Sequence, residues 1–332
     1  MAAYVYLIAI LIVVGVVTDY LFHRYVTKRI REVFENVPPF GVVPAEESSD
    51  ARLVRIPTAD GLTLTGSIHP PLSGEPPRAI VIFCPELNGN HWMAAHYCHG
   101  LLAQGFSVVS FDFRNQGASD CMDGYTPIHW TTEWEMNDLA GVLEFIETDK
   151  QLSNLPIGIF GVSRGGVAAL AAGCRYPRIR AVLADSAFGT MAMTKHFVQR
   201  FGRYIIPEWF FRVLPQWHID RTLRRAMRLS ESQRLCRYVH LENEVQHLDD
   251  TKVRLISGKR DSYVSPTVAG SLAELFGGPE LLWLVPRAKH NMARASATED
   301  YDRYVVQHFS QITDDSKSSN EAVTASAAAS AP

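Results

Sequence analysis

The residues of this chain best suited to chemistry are 161–165, which read Gly-Val-Ser-Arg-Gly. An apolar stretch, Ile157 to Val162, precedes Ser163, and an alanine-rich stretch follows it. This order predicts a strand, a tight turn and a helix, with the serine hydroxyl exposed at the corner. Glycine at both ends of the motif leaves room for backbone that a Cβ would obstruct. The segment therefore predicts a nucleophile, although a glycine-rich turn with Ser163 as a simple helix cap is the alternative.

Two later residues could complete a site around Ser163. Asp261 follows the predicted strand at Val253–Gly258, and His290 follows the one at Leu281–Val285. The carboxyl ends of parallel strands meet at one edge of a sheet, so these side chains can converge. In such chemistry Ser163 attacks an acyl carbonyl, His290 takes and returns the proton, and Asp261 orients the imidazole.

Other titratable residues offer weaker alternatives. Asp185, after the predicted strand at 181–184, is a second candidate for the acid. A local group of possible metal ligands is His91, His96, Cys98 and His99. Zinc needs four convergent ligands, or three and a water molecule, and these residues fall where a helix is expected. We therefore predict packing and surface roles for them, with no metal and no cofactor.

The elements around these residues alternate between strand and helix, which predicts a doubly wound, mostly parallel sheet. Asp60-Gly61 marks a hairpin between two short strands, and Thr132 with Glu135 forms a capping box that opens a helix. Further apolar strands are predicted at 79–83, 108–113, 157–162, 181–184, 253–256 and 281–285. A helix from about 299 to 309 ends the folded body.

With these motifs in place, residues 50 to 310 resemble the α/β-hydrolase superfamily. The resemblance is carried by the Gly161–Gly165 motif, by Asp112–Ser119, and by the late Asp261 and His290. It implies that Ser163, Asp261 and His290 form a catalytic triad. It also implies that Asp112 and Gly117 shape a loop beneath the site.

By the same resemblance, the backbone N–H groups of Leu87 and Arg164 would form the oxyanion hole. Each such donor contributes about 3–4 kcal/mol to the transition state. The sequence departs from the family here, because Pro85-Glu86 replaces the usual His-Gly. A carboxylate beside a developing alkoxide opposes catalysis, so we expect Glu86 to turn away and pair with Arg164 or Arg114. A disabled site is the alternative.

The N-terminus is apolar, with no charge from Ala2 to Val17, and we assign residues 1–23 as a transmembrane helix. Lys and Arg residues cluster after this stretch, so the positive-inside rule places the catalytic body in the cytoplasm. A buried helix that packs on the body is the alternative. The formal charge of −3 implies no nucleic-acid partner, and five scattered cysteines indicate a reducing compartment.

The remaining boundaries follow from composition. We predict a linker at 24–49, a hydrolase core at 50–187 and 251–312, a helical cap inserted at 188–250, and a disordered tail at 313–332. Within the cap, Trp209, Phe210 and Phe211 could form an acyl pocket or simply pack the cap onto the core. The arginines at 221, 224, 225 and 228 form either a solvated face or a contact with anionic lipid head groups.

These features predict a membrane-anchored serine hydrolase that cleaves an ester or thioester, with a lipidic or acyl small molecule as substrate. A serine peptidase or amidase of the same fold is an alternative. A third is a scaffold that binds a ligand or protein through its cap. The oligomeric state does not follow from the sequence.

Overall fold

The computed structural model describes residues 2–36, 45–201, 215–245 and 252–329. The chain divides into two compact units, which are described separately. The N-terminal unit takes in Met1–Pro38 and Met193–Leu235, and the core unit takes in Pro39–Ala192 and Cys236–Pro332.

Eight strands of the core unit form one sheet. They are β1 Arg52–Pro57, β2 Thr63–His69, β3 Ala79–Cys84, β4 Phe106–Phe111, β5 Ile157–Val162, β6 Ile179–Asp185, β7 Val253–Gly258 and β8 Leu282–Val285. The strand order is β1-β2-β4-β3-β5-β6-β7-β8. The first two strands pair antiparallel with their neighbours, and the rest are parallel. The predicted doubly wound, mostly parallel sheet and its opening hairpin are confirmed.

The described helices lie between and around these strands. They are α1 Ala2–Glu35, α2 Met93–Tyr97, α3 His99–Ala103, α4 Glu133–Thr148, α5 Arg164–Arg175, α6 Thr190–Phe201, α7 Gln216–Arg234, α8 Leu241–Glu244, α9 Pro266–Phe276, α10 Ala293–Ser296 and α11 Thr298–Ala329, with a 3₁₀ turn at Pro279–Leu281. The predicted capping box of Thr132 and Glu135 is present at the start of α4.

The centre of the sheet is buried on both faces. Every residue of β3, β4 and β5 is buried, as expected for strands with a continuous apolar sequence. The edge strand β1 instead alternates between exposed and buried residues. The core thus lies along the middle strands, which hold the segments after them in fixed positions.

The register of the parallel strands brings the candidate site residues to one edge. Val162 at the end of β5 pairs with Asp185 at the end of β6, and Gly258 of β7 pairs with Val285 of β8. The segments that carry Ser163, Asp261 and His290 all begin at this edge.

In the N-terminal unit, α1 packs against α7. The buried residues on α1 are Val26, Thr27, Ile30 and Phe34, all beyond its most apolar part. That apolar part has a mean hydropathy of 2.4 over an 18-residue window, and none of the window is buried. By length and composition, α1 is the one helix in the described ranges that could cross a membrane. A signal sequence can have the same length and apolar composition.

The last helix extends into the range assigned to the tail. The predicted tail begins at residue 313, and α11 continues to Ala329. The residues that follow include many alanines, which have the highest helix propensity. They also extend a helix whose first half is already fixed by buried Tyr301, Val305 and Phe309.

The other predicted boundaries are described only in part. Helix α1 runs through Glu35, into the range assigned to the linker. The described residues of the predicted cap include α6, α7 and α8. Residues 209, 210 and 211, proposed for an acyl pocket, lie outside the described ranges.

Candidate active site

Ser163 lies at a strained corner between β5 and α5. Its φ of 52° and ψ of −117° are unusual for a residue with a side chain, and such a conformation costs about 1–3 kcal/mol. The corner is held in part by the Ser163 N–H, which donates to the carbonyl of Asp185 at 2.7 Å. A Cβ on Gly161 would lie 2.1 Å from the carbonyl oxygen of Gly165. The predicted strand, tight turn and helix are confirmed, and the backbone permits only glycine at 161.

The structure brings Ser163, His290 and Asp261 into one hydrogen-bonded row. The Ser163 Oγ lies 3.0 Å from His290 Nε2, and His290 Nδ1 lies 2.7 Å from Asp261 Oδ2. The serine is 5 % exposed and the aspartate 3 %. These are the distances at which a hydroxyl proton can pass to an imidazole that a carboxylate orients.

The hydrogen bonds around Asp261 settle the proton positions. Its Oδ1 accepts the backbone N–H groups of Tyr263 and Val264 at 2.8 and 2.9 Å, so Oδ2 is left to accept from His290. His290 Nδ1 therefore carries the hydrogen, and the lone pair of Nε2 faces the serine hydroxyl. The ring of Tyr263 packs edge-on against the imidazole, with centroids 5.0 Å apart.

Asp185, the second candidate for the acid, has other partners. Its carboxylate accepts hydrogen bonds from Tyr301 Oη at 2.8 Å and from Ser186 Oγ at 2.9 Å. Burial raises the pKa of Asp185 to about 6, although its two hydrogen bonds oppose that rise. Of the two acids, Asp261 alone contacts His290 directly.

No described residue accepts a hydrogen bond from the two proposed oxyanion donors. Among the described residues, neither the Leu87 N–H nor the Arg164 N–H donates a hydrogen bond, whereas the next amide, Asn88, donates to Gln116 Oε1 at 2.9 Å. The two loops are close together, since a Cβ on Gly165 would lie 2.5 Å from the carbonyl oxygen of Pro85. Both N–H groups are thus available to a negatively charged oxygen.

The side chain of Arg164 is anchored away from Glu86. Its guanidinium pairs with Glu135 and lies 3.4 Å from Tyr125 Oη. Glu135 is also the capping-box residue, which accepts the Thr132 N–H at 2.7 Å. The sequence revealed the cap but not the ion pair, which depends on the packing of α4 against α5.

The expected pairing of Glu86 with an arginine is wrong. Arg164 binds Glu135, and Arg114 binds Asp60 at 2.6 Å and Asp138 at 2.7 Å. Both arginines pair with carboxylates on α4. To bind Glu86, each would have to give up that ion pair. The carboxylate of Glu86 turns into the core instead.

The side chain of Glu86 is buried, and few polar groups stabilise a charge on its carboxylate. It is 3 % exposed, its Oε1 accepts from Tyr97 Oη at 3.3 Å, and its Oε2 has no hydrogen-bond partner among the described residues. Burial, with a smaller contribution from Asp185, raises the pKa of Glu86 to about 7. Tyr97 Oη also lies 3.4 Å from the carbonyl oxygen of Asn291, next to His290. No signal in the linear sequence links these residues.

The segment Asp112–Ser119 shapes a loop, as predicted. Asp112 Oδ1 accepts the His91 N–H at 2.7 Å, and Oδ2 accepts the Ala118 N–H at 2.8 Å. Gly117 has a φ of +53°, and a Cβ there would lie 2.1 Å from Asp112 Oδ2. The carboxylate thus ties the loop after β4 to the loop after β3.

The four possible ligands between residues 91 and 99 do not converge within the described part of the chain. His91 Nδ1 lies 3.0 Å from Asp112, whereas the exposed His99 lies 4.0 Å from Asp302. Cys98 is part of the hydrophobic core. His91 thus contacts a buried carboxylate, and Cys98 packs in the core.

Comparison with known proteins agrees with this architecture. The chain is 25 % identical to the uncharacterized protein YqkD of Bacillus subtilis (strain 168) over 314 residues, 93 % of this chain and 96 % of that protein. The solved structure of the Pyrococcus furiosus esterase Pf2001 superposes with a TM-score of 0.58 at 21 % identity, covering 83 % of this chain and 97 % of the esterase. Est1E from Butyrivibrio proteoclasticus, solved with ferulic acid bound, gives 0.54 at 16 % identity, covering 77 % and 99 %. These structures share the fold.

The family follows from a sequence match over more than half of the chain. Residues 75–246 match the hydrolase family described as serine aminopeptidase, S33. That range contains β3 to β6 and the corner at Ser163. The chain therefore belongs to the S33 serine aminopeptidase family of α/β-hydrolases.

Proposed function

We propose that this chain is a serine hydrolase that cleaves an ester or thioester bond through an acyl-enzyme on Ser163. The observation that carries the proposal is the row of two hydrogen bonds from Ser163 through His290 to Asp261, at 3.0 and 2.7 Å. The strained backbone at Ser163 supports it as well, because such strain is concentrated at functional sites.

Each step of the reaction has a residue suited to it. Ser163 Oγ attacks the acyl carbon while His290 Nε2 takes the hydroxyl proton, and Asp261 stabilises the imidazolium. The N–H groups of Leu87 and Arg164 bind the carbonyl oxygen as it becomes negative. His290 then gives the proton to the leaving alcohol or thiol. Water attacks the acyl-enzyme by the same route and releases the acid.

The proposed substrate is a lipidic or acyl small molecule. Support comes from the apolar α1, which would concentrate the enzyme where such substrates are, and from the esterases that share the fold. Trp209, Phe210 and Phe211 are proposed to contact the acyl chain, on the evidence of their sequence alone.

We further propose that α1 anchors the chain in a membrane with the catalytic body in the cytoplasm. The length and hydropathy of α1 support anchoring, and Arg24, Lys28, Arg29 and Arg31 support the orientation. Extraction of membranes with alkaline carbonate tests the first part. An anchored chain stays in the pellet at full length, whereas a cleaved signal sequence leaves a shorter, soluble chain.

An amide is the second candidate substrate, because the family is described as one of serine aminopeptidases. Nitrophenyl esters from acetyl to palmitoyl, assayed beside aminoacyl nitroanilides, separate the two. We expect ester cleavage that depends on chain length. Faster cleavage of the nitroanilides would make this chain a peptidase, and flat activity across the esters would argue against a long acyl pocket.

Labelling with a fluorophosphonate probe tests whether Ser163 is a nucleophile at all. The wild-type chain should be labelled at neutral pH, and Ser163→Ala should not. Ser271→Ala, which removes an exposed hydroxyl on α9, is the matched control and should label fully. A wild-type chain that does not label would support a binding scaffold instead of an enzyme.

A further inference from the structure

Three side chains with metal-binding atoms converge in the N-terminal unit. Asp19 and His23 are one helical turn apart on α1, and His218 lies near the start of α7. One ligand atom from each residue lies within 4.8 Å of the others. The two imidazole rings are in contact, with centroids 4.4 Å apart and an angle of 42° between their planes.

A neighbouring threonine fixes which nitrogen of His23 carries the hydrogen. The Oγ1 of Thr222 donates its own proton to the carbonyl of His218 at 2.8 Å. It can therefore only accept from His23 Nδ1, which lies 3.4 Å away. In neutral His23 the hydrogen is then on Nδ1, and the lone pair of Nε2 points to the other side of the ring.

That lone pair faces a carboxylate. His23 Nε2 lies 3.6 Å from Asp19 Oδ1. Two acceptors at this distance repel each other unless a cation lies between them. A tetrahedral site with bonds of about 2.0–2.1 Å places neighbouring ligand atoms about 3.3 Å apart. The spacing between Asp19 and His23 needs an adjustment of only a few tenths of an ångström, and the ligand atom of His218 lies within 4.8 Å of both.

We propose that Asp19, His23 and His218 bind one divalent transition-metal ion, with Zn²⁺ as the best fit and water as the fourth ligand. Thr222 holds the His23 imidazole in the orientation and tautomer that such a ligand needs, the role commonly played by a hydrogen-bond partner behind a ligating histidine. The site is independent of the proposed hydrolase chemistry.

The ligand set selects among metals. Ca²⁺ and Mg²⁺ require several oxygen ligands, and this site offers one carboxylate. Imidazole nitrogen suits zinc, nickel and copper. Arg221 and Arg225 also act electrostatically on His23. Their positive charge disfavours ions held by charge alone, so we expect binding of Zn²⁺ without binding of Ca²⁺.

Metal binding would link α1 to α7 at the end of the apolar stretch of α1. Both histidines are half-buried, and Asp19 is exposed. An ion bound only by the folded chain stabilises it by mass action. The midpoint of thermal unfolding should therefore rise with Zn²⁺ concentration.

Calorimetric titration of the full chain in detergent, made without a histidine tag, tests the site. We expect one Zn²⁺ bound per wild-type chain and a loss of about tenfold or more in affinity in Thr222→Val. His218→Ala should lose the site altogether. If that variant does not fold by circular dichroism, His218→Gln, which keeps more of the side-chain volume, takes its place.

His99→Ala is the matched control, because His99 is an exposed histidine beside an aspartate, 4.0 Å away, elsewhere in the chain. It should bind Zn²⁺ as the wild type does. Equal binding by wild type and His218→Ala would overturn the proposal. A wild-type chain that does not bind Zn²⁺ would also overturn it. In that case a proton on His23 Nε2 lies between this nitrogen and Asp19 Oδ1. If Ca²⁺ raised the midpoint of thermal unfolding as much as Zn²⁺ does, the predicted preference of the site for Zn²⁺ would be wrong.

Discussion

At the scale of single residues, two buried aspartates next to the candidate site differ in what they hold. Asp261 accepts from the His290 imidazole, whereas Asp185 accepts from Tyr301 and Ser186. Asp261→Asn should lower kcat by about 10⁴-fold, because an amide favours the wrong histidine tautomer. Asp185→Asn should cost far less, since hydroxyl donors can still bond to an amide oxygen. Steady-state kinetics on a short nitrophenyl ester measure both, and equal losses would contradict the assignment.

The buried carboxyl of Glu86 predicts a pH dependence of stability. Burial raises its pKa to about 7 from a usual 4.5, so the folded chain binds this proton more tightly than the unfolded chain. The resulting stabilisation, at most about 3 kcal/mol, is complete below pH 4.5 and is lost as the pH rises through 7. Glu86→Gln cannot titrate. Its melting temperature relative to wild type should therefore increase between pH 5 and pH 8.

The exposed Glu47→Gln is the control for this measurement, and its difference from wild type should stay constant with pH. A constant difference for Glu86→Gln as well would show that Glu86 is ionised throughout the range.

The same charge predicts an effect on activity. Above pH 7 the ionised Glu86 adds a negative charge next to the Leu87 N–H, which opposes the developing oxyanion. The ratio of kcat in Glu86→Gln to kcat in wild type should be near one at pH 6 and should rise at pH 8. A ratio that falls as the pH rises would mean that the ionised carboxylate assists the reaction.

At the scale of elements, the close approach of α5 to the end of β3 explains the second glycine of the motif. A Cβ on Gly165 would lie 2.2 Å from the carbonyl oxygen of Cys84, which is backbone and cannot move aside cheaply. Gly165→Ala should therefore abolish activity and lower the free energy of unfolding by a few kcal/mol.

Gly270→Ala is the matched control for this substitution. Gly270 lies within α9 and has nothing within 4 Å of the position of a Cβ. The substitution should raise the free energy of unfolding by up to about 1 kcal/mol and leave activity unchanged. Denaturant unfolding compares the two variants, and similar stabilities would show that the space around Gly165 is larger than described.

Short-range signals predicted most of these elements. The capping box at Thr132 and the hairpin at Asp60-Gly61 depend on neighbours a few residues apart, and both are present. The hydrogen-bond partner of Glu86 was not predictable from short-range signals. Its partner Tyr97 is contributed by α2, and the two arginines expected to bind it are held by α4.

At the scale of the whole molecule, the proposed orientation in the membrane can be tested through one cysteine. Cys121 is exposed, whereas Cys84, Cys98, Cys174 and Cys236 are buried. If the core unit is cytoplasmic, a membrane-impermeant maleimide should label the chain only after cells are permeabilised. Cys121→Ser should remain unlabelled in both conditions. Labelling of Cys121 in intact cells would place the core unit outside.

The sequence by itself determined the order of the candidate site residues along the chain and the strands that they follow. A serine between two glycines stands at the end of one strand, and an acid and a histidine follow two later strands. It could do so because hydrophobic periodicity and turn residues act over short ranges and because parallel strands end at a common edge. It also determined that α1 is apolar enough to cross a membrane.

Only the tertiary structure decided which buried charges meet. The choice of Asp261 over Asp185, the pairing of Arg164 with Glu135 and the isolation of Glu86 all depend on residues distant in the chain. The convergence of His218 with Asp19 and His23, which lie far from it in the chain, is of the same kind. A charged side chain is stabilised by whatever lies within a few ångströms of it, and packing alone fixes those neighbours.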